Sequence, residues 1–350
     1  MNIQEPSTRG FNLPGMRRTN TRKQDINHTP RSRLLDFLPN TLRNHIIAGV
    51  GEAFGTAAFL FLAFSGTQVA NAAAEAQKQA GGSQHSIPTA PDASSLMFIS
   101  LSFGFSLAVT AWVFFRISGG LFNPAVTLGM ALIGAVTWVR ALVALISQLF
   151  GAMAAAGIVR ALFPGTFAVT TTLGNGVSVV RGLFIEALLT AVLVFTIFML
   201  AAEKHKGTFI APIGIGLALF VCELSGVFFT GGSLNPARSF GPCVALGHFP
   251  HYHWIYWVGP GLGSLLAVAL YRFLKLLEYE TANPGQDFDE KEAEVLDVDE
   301  EHAYTAKDVA RPDALEISRS RSAHPNFAQG GGGKDISLPQ VNAVCRGPFT

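Results

Sequence analysis

Six stretches of roughly twenty apolar residues recur along the chain, at residues 46–70, 95–115, 138–159, 182–202, 208–230 and 254–277. A helix rises about 1.5 Å per residue, so about twenty residues cross a hydrocarbon core of roughly 30 Å. Water is absent from that core, and backbone N–H and C=O groups must pair within the segment itself. Six such runs predict six spanning helices. Buried helices of a large soluble protein are the alternative, and composition opposes it: 14% of the 350 residues are charged, against roughly 25% in soluble domains.

The flanks read differently. Residues 1–45 are polar and basic, and residues 280–350 carry an acidic run from Asp287 to Glu301 followed by Gly330–Gly333. Neither segment has enough apolar surface to offset chain entropy, so both are expected to be disordered tails around a membrane-spanning domain at 46–279. The net charge of +1 is a cancellation between these ends and gives no reason to invoke nucleic acid. The basic tail lacks a secretory cleavage pattern, which leaves insertion to the first span. Lys and Arg near the membrane gather on one side (Arg31, Arg33, Arg43, Arg116, Arg140, Lys204, Lys206, Arg272, Lys275). The other side has Lys78, Arg160 and Arg181. Both termini are therefore expected in the cytoplasm. Three scattered cysteines (Cys222, Cys243, Cys345) make neither a disulfide framework nor a metal site.

The chain also repeats itself. Ser118-Gly119-Gly120-Leu121-Phe122-Asn123-Pro124-Ala125 returns 112 residues later as Thr230-Gly231-Gly232-Ser233-Leu234-Asn235-Pro236-Ala237. The same offset carries Gly104 to Gly216, Gly151 to Gly263 and Gln148 to Pro260; Glu52 and Thr56 pair with Glu186 and Thr190 at a longer offset. Each half holds three spans. An odd number inverts the second half, giving two units related by a pseudo-two-fold axis in the membrane plane.

Asn-Pro-Ala has a local meaning. Asn is a favoured N-cap, and Pro suits the first helical position, where a missing N–H costs nothing. The residues that follow, Val126–Leu132 and Arg238–Gly241, are too few to span. A single copy would pass as an ordinary helix start in a loop. Two copies in symmetric positions predict re-entrant half-helices meeting at mid-membrane, allowed where they line a water-filled cavity. The fold expected is thus an all-α membrane protein with six transmembrane helices, two re-entrant half-helices and an inverted three-helix repeat.

The doubled Asn-Pro-Ala, its Ser/Thr-Gly-Gly lead-ins, Asn235–Pro242 and His253–Pro260 together resemble the major intrinsic proteins, or aquaporins, over roughly residues 46–277. The tails and the Phe37-Leu38-Pro39 approach are similar to fungal members. The resemblance implies a homotetramer in the lipid bilayer, with water as permeant and a pore in each protomer. It places Asn123, Pro124, Ala125, Asn235, Pro236 and Ala237 at the pore centre, and Glu52 and Glu186 as buried carboxylates accepting from the re-entrant loops. By position it places the selectivity filter at Phe103, Glu223, Gly232 and Arg238, with Gln148 and Pro260 as packing residues. Glu223 departs from the histidine usual in water channels. A glutamate packed against a neighbouring helix or reaching the surface is the alternative there.

Ser239 after Arg238, and the Tyr256-Trp257 pair, favour water over glycerol by the same resemblance. The competing reading is a broader facilitator for glycerol, peroxide or ammonia. A non-conducting scaffold is opposed by intact Asn123, Asn235 and Arg238. An enzyme is opposed by the lack of any nucleophile constellation, metal-ligand cluster or phosphate loop, and no cofactor is called for. His248, His251 and His253 are read as a solvated loop rather than a metal site. The expected home is a plasma membrane. The cluster Leu34-Leu35 with Phe37-Leu38 is a candidate cytoplasmic plug.

Overall fold

The structure is a computed structural model that describes residues 38–80, 93–174, 176–203 and 207–282. Residues 1–37 (with Leu34, Leu35 and Phe37) and 283–350, Lys204 and Lys206, and the side chain of Lys78 lie outside the described residues. The chain divides into two compact units, residues 1–277 and 278–350. Of the second, the described part is a 3₁₀ turn at Tyr279–Thr281.

Every described element of the first unit is helical: α1 (Asn40–Ala80), α2 (Ala93–Phe114), α3 (Pro124–Leu132), α4 (Trp138–Leu162), α5 (Val179–Ile197), α6 (Ala211–Thr230), α7 (Pro236–Leu246) and α8 (Ile255–Leu276). Six of them are long and apolar enough to cross a membrane; α3 and α7, of 9 and 11 residues, are not. Three boundaries differ from the apolar pattern, the first being the start of α1 at Asn40, inside the segment 1–45 expected to be a disordered tail. The first helix continues ten residues past Ala70. Asn71–Ala80 is rich in Ala, Gln, Glu and Lys, which extend a helix readily although they are too polar for lipid. The half-helix α7 also outruns its expected end at Gly241, passing through Pro242 to a left-handed Gly247 cap. A further irregularity closes α5, whose last turn widens into a π-helix at Phe198–Ala202.

The helices pack as two related triplets. α1 lies against α4 and α5 against α8, while α2 and α6 cross between the halves. Small residues set these crossings, because in lipid helix association depends on close backbone approach. A Cβ on Gly104 would sit 2.8 Å from the Gly216 carbonyl oxygen, and one on Gly216 would sit 2.5 Å from that of Gly104. The pair that the 112-residue offset relates is thus in mutual contact on the pseudo-axis. Gly151 meets the Ala53 carbonyl as Gly263 meets that of Ala187, so the repeat in sequence is a repeat in packing. The outward faces carry exposed Phe54, Phe105, Val139, Leu188, Leu217 and Leu266. For a protein in water such a belt would be costly; for one in lipid it is the solvated surface.

Candidate pore and filter

The two half-helices begin at Asn123 and Asn235, both extended and both capping through the side chain. Asn123 Oδ1 accepts from Ala125 N at 2.9 Å; Asn235 Oδ1 accepts from Ala237 N at 2.9 Å and from Arg238 N at 3.3 Å. The side-chain amides reach across the axis. Asn123 Nδ2 donates to the Leu234 carbonyl at 2.8 Å, and Asn235 Nδ2 to the Phe122 carbonyl at 2.9 Å. Each amide group therefore has one of its two N–H bonds tied to the opposite half. The other remains for whatever occupies the cavity that both asparagines line.

Phe122 and Leu234 make this possible at a conformational cost. Their φ values are +51° and +48°, left-handed for residues with a Cβ, which costs on the order of 1–3 kcal/mol each. In that conformation their carbonyls point to the opposite asparagine and their N–H groups to a buried glutamate. Glu52 Oε2 accepts from Phe122 N at 2.9 Å and Glu186 Oε2 from Leu234 N at 2.8 Å. Glu52 Oε1 also takes Leu121 N at 3.1 Å and Ser118 Oγ at 2.7 Å, and Glu186 Oε1 takes Ser233 N at 3.0 Å. A buried carboxylate is tolerated where donors surround it in this way.

Gln148 is not the packing residue expected from sequence. It is fully buried, and its Nε2 donates to Glu52 Oε2 at 2.8 Å and to Thr127 Oγ1 at 2.9 Å, joining α1, α3 and α4. Pro260, its counterpart in the repeat, has no such group, so Glu186 lacks this support. The reading also missed a pair of half-helix anchors. Arg272 donates to the Leu132 carbonyl at the end of α3 at 2.5 Å, and Arg160 donates to the Ala245 carbonyl near the end of α7. Each cation meets the negative end of a helix dipole. The signal was available, since Arg160 and Arg272 are 112 residues apart.

The four filter candidates come together at one level. Arg238, 2% exposed, donates through Nε to Gly232 O at 3.0 Å, through Nη1 to Val169 O at 2.7 Å and through Nη2 to Gly231 O at 3.1 Å. Its guanidinium carbon stands 4.9 Å from the centre of the Phe103 ring. Glu223 is fully buried, and neither carboxylate oxygen has a hydrogen-bond partner among the described residues. Gly232, at φ +59°, leaves the room it needs: a Cβ there would fall 1.8 Å from Glu223 Oε2. Phe103, Glu223, Asn123, Asn235 and Arg238 all line one cavity of about 620 Å³.

Of the three loop histidines, His248 and His251 are exposed, as expected, and His253 is half-buried. Trp257 Nε1 donates to His253 Nε2 at 3.2 Å, Nδ1 lies 3.6 Å from Cys243 Sγ, and burial lowers the pKa of this ring below the usual histidine range. Among the described residues no group of three or more His, Cys, Asp or Glu side chains is placed to hold a metal.

Comparison with known proteins gives this arrangement a family. The family profile described as "Major intrinsic protein" matches residues 41–271. The chain is 54% identical over 315 residues to aquaporin-7 of Botryotinia fuckeliana (strain B05.10), covering 89% of this chain and 67% of that one. It is 58% identical over 270 residues to probable aquaporin-5 of Gibberella zeae (strain PH-1), covering 77% and 49%. Against that relative the chain spans about half the length. In fold it resembles the X-ray structure of the aquaglyceroporin from Plasmodium falciparum, with a TM-score of 0.55 at 21% identity over 67% of this chain and 99% of that one. The chain belongs to the major intrinsic protein family, a family of membrane channels rather than enzymes.

Proposed function

We propose that the chain conducts water down osmotic gradients and excludes ions and protons. One observation carries the reading: two half-helices begin back to back at Asn123 and Asn235, and each asparagine keeps one N–H for the shared cavity. Each helix start carries roughly half a positive charge. A water there accepts from both amides, so its own hydrogens turn away from both and its neighbours face opposite directions. A proton wire is broken at that point, and the same positive potential repels cations. Asn123 and Asn235 are the pore-centre residues in this reading, with Pro124, Ala125, Pro236 and Ala237 starting the half-helices. Glu52 and Glu186 hold the loops. Phe103, Glu223, Gly232 and Arg238 form the filter.

A broader permeant range is the second reading, favoured by the two unpartnered oxygens of Glu223, which offer acceptors to solutes richer in donors than water. The assembly we propose is a homotetramer in a plasma membrane, with both termini cytoplasmic. The exposed apolar belt supports the bilayer setting, and family resemblance supports the tetramer.

The test is stopped-flow shrinkage of proteoliposomes in sucrose and in glycerol, paired with ion-leak measurements. Rapid shrinkage in sucrose without ion leak supports water conduction, and permeability to glycerol would move the reading to the broader class. Replacing both Asn123 and Asn235 by Asp puts negative charge where the dipoles repel cations, and should raise cation leak while the protein still folds. A folded double variant with background leak would remove the dipole mechanism.

A further inference from the structure

We propose that Gln68 and Asn71, on α1, are positioning residues that hold the filter open by keeping Arg238 apart from Glu223. The proposal rests on the filter reading above. Gln68 is 3% exposed, too deep for a side chain serving only the surface. Its Nε2 donates to Thr166 O at 2.8 Å and its Oε1 accepts from Ala168 N at 3.1 Å, while Asn71 Nδ2 donates to Ala168 O at 2.7 Å. Three hydrogen bonds thus clamp two residues of the irregular segment between α4 and α5. The next residue is Val169, whose carbonyl takes Nη1 of Arg238 at 2.7 Å, the shortest of that guanidinium's contacts. Two residues further on the segment is pinned again, by Thr171 Oγ1 on Ser239 Oγ at 2.8 Å.

A buried guanidinium needs partners, and this one can be satisfied in two ways. In the structure its partners are the carbonyls of Val169, Gly231 and Gly232. The other source is Glu223, which lines the cavity together with Arg238, packs against Gly232 and has no hydrogen-bond partner among the described residues. Gly232 supplies a carbonyl to Arg238 as well, so the two side chains flank one residue without bonding to each other. A charge-assisted pair is stronger than a bond to a neutral carbonyl. Freeing the Val169 carbonyl shifts the balance toward that pair, and two side chains that line the cavity then join within the space water must cross. Rigid placement of the segment is what keeps the guanidinium on the wall, and the two α1 amides supply it.

The experiment measures water permeability per reconstituted protein for Gln68→Leu with Glu223 present and in the Glu223→Ala background. Gln68→Leu alone is expected to lose water permeability severalfold, and the loss is expected to vanish when Glu223 is absent. A folded Gln68→Leu with unchanged permeability overturns the proposal. So does an equal loss in both backgrounds, which would mark general loosening of the segment. Where Gln68→Leu gives no folded protein, Asn71→Ala carries the same comparison, and a need for both side chains in folding itself also overturns it. Arg238→Ala separates the two levels of the argument. If it leaves the glycerol-to-water ratio unchanged the filter reading fails, whereas a changed ratio with no Gln68–Glu223 dependence defeats the positioning role alone.

Discussion

Glu52→Leu should yield almost no folded channel, and Glu186→Leu should be damaged less. Glu52 receives two backbone N–H groups, the Ser118 hydroxyl and the Gln148 amide. Leucine fits the space approximately but accepts nothing. Each buried donor left without a partner costs about 1–3 kcal/mol. Two of these donors are the N–H groups of Leu121 and of Phe122 itself, which is already held at a left-handed φ of +51°, so the turn also loses the contact that offsets its strain. Glu186 receives two backbone donors, from Ser233 and Leu234, and has no counterpart of Gln148. The expected order of recovery is therefore wild type, then Glu186→Leu, then Glu52→Leu, read as the monodisperse fraction by size-exclusion chromatography after detergent extraction. Equal recovery of Glu52→Leu and wild type would show that the carboxylate is dispensable to the loop.

How far the sequence reached depends on which physics fixed each feature. Lipid forces long apolar runs, so the six spans stand close to where hydropathy placed them. The exception, the extension of α1 to Ala80, follows helix propensity instead, and polarity alone could not show it. Local chemistry made the half-helix starts readable, since Asn followed by Pro has one conformational use there. The partners of each side chain across the fold were harder to read. Nothing local in Gln148 says that it will meet Glu52, because that contact depends on how α4 returns against α1. Gln68 and Asn71 look like ordinary polar residues near the end of a span until the segment after α4 folds over them. Arg160 and Arg272 are different, since the repeat relates them and a complete comparison of the two halves would have paired them. The amides of Asn123 and Asn235 each give one hydrogen to the other half. That exchange becomes visible only when both half-helices are placed.

Glu223→Ala should raise the glycerol-to-water permeability ratio, on the order of tenfold, equivalent to ~1.4 kcal/mol of barrier. The expectation comes from three features of the ring. Glu223 is fully buried yet lines the cavity, so its side chain takes up filter volume. Gly232 beside it has no side chain to fill the space a truncation leaves. Arg238 is held by three carbonyls independently of Glu223, so it should stay in place when the carboxylate is removed. The widened ring would still present a fixed cation, and cation leak should remain at background while glycerol enters. Glu223→His restores bulk and offers a donor in place of an acceptor; it should keep water flux and exclude glycerol. Both variants and wild type are compared in one liposome preparation, with water and glycerol permeability read from the same vesicles. An unchanged ratio in Glu223→Ala would mean that the carboxylate does not border the narrowest point, and that the permeant is selected elsewhere along the cavity.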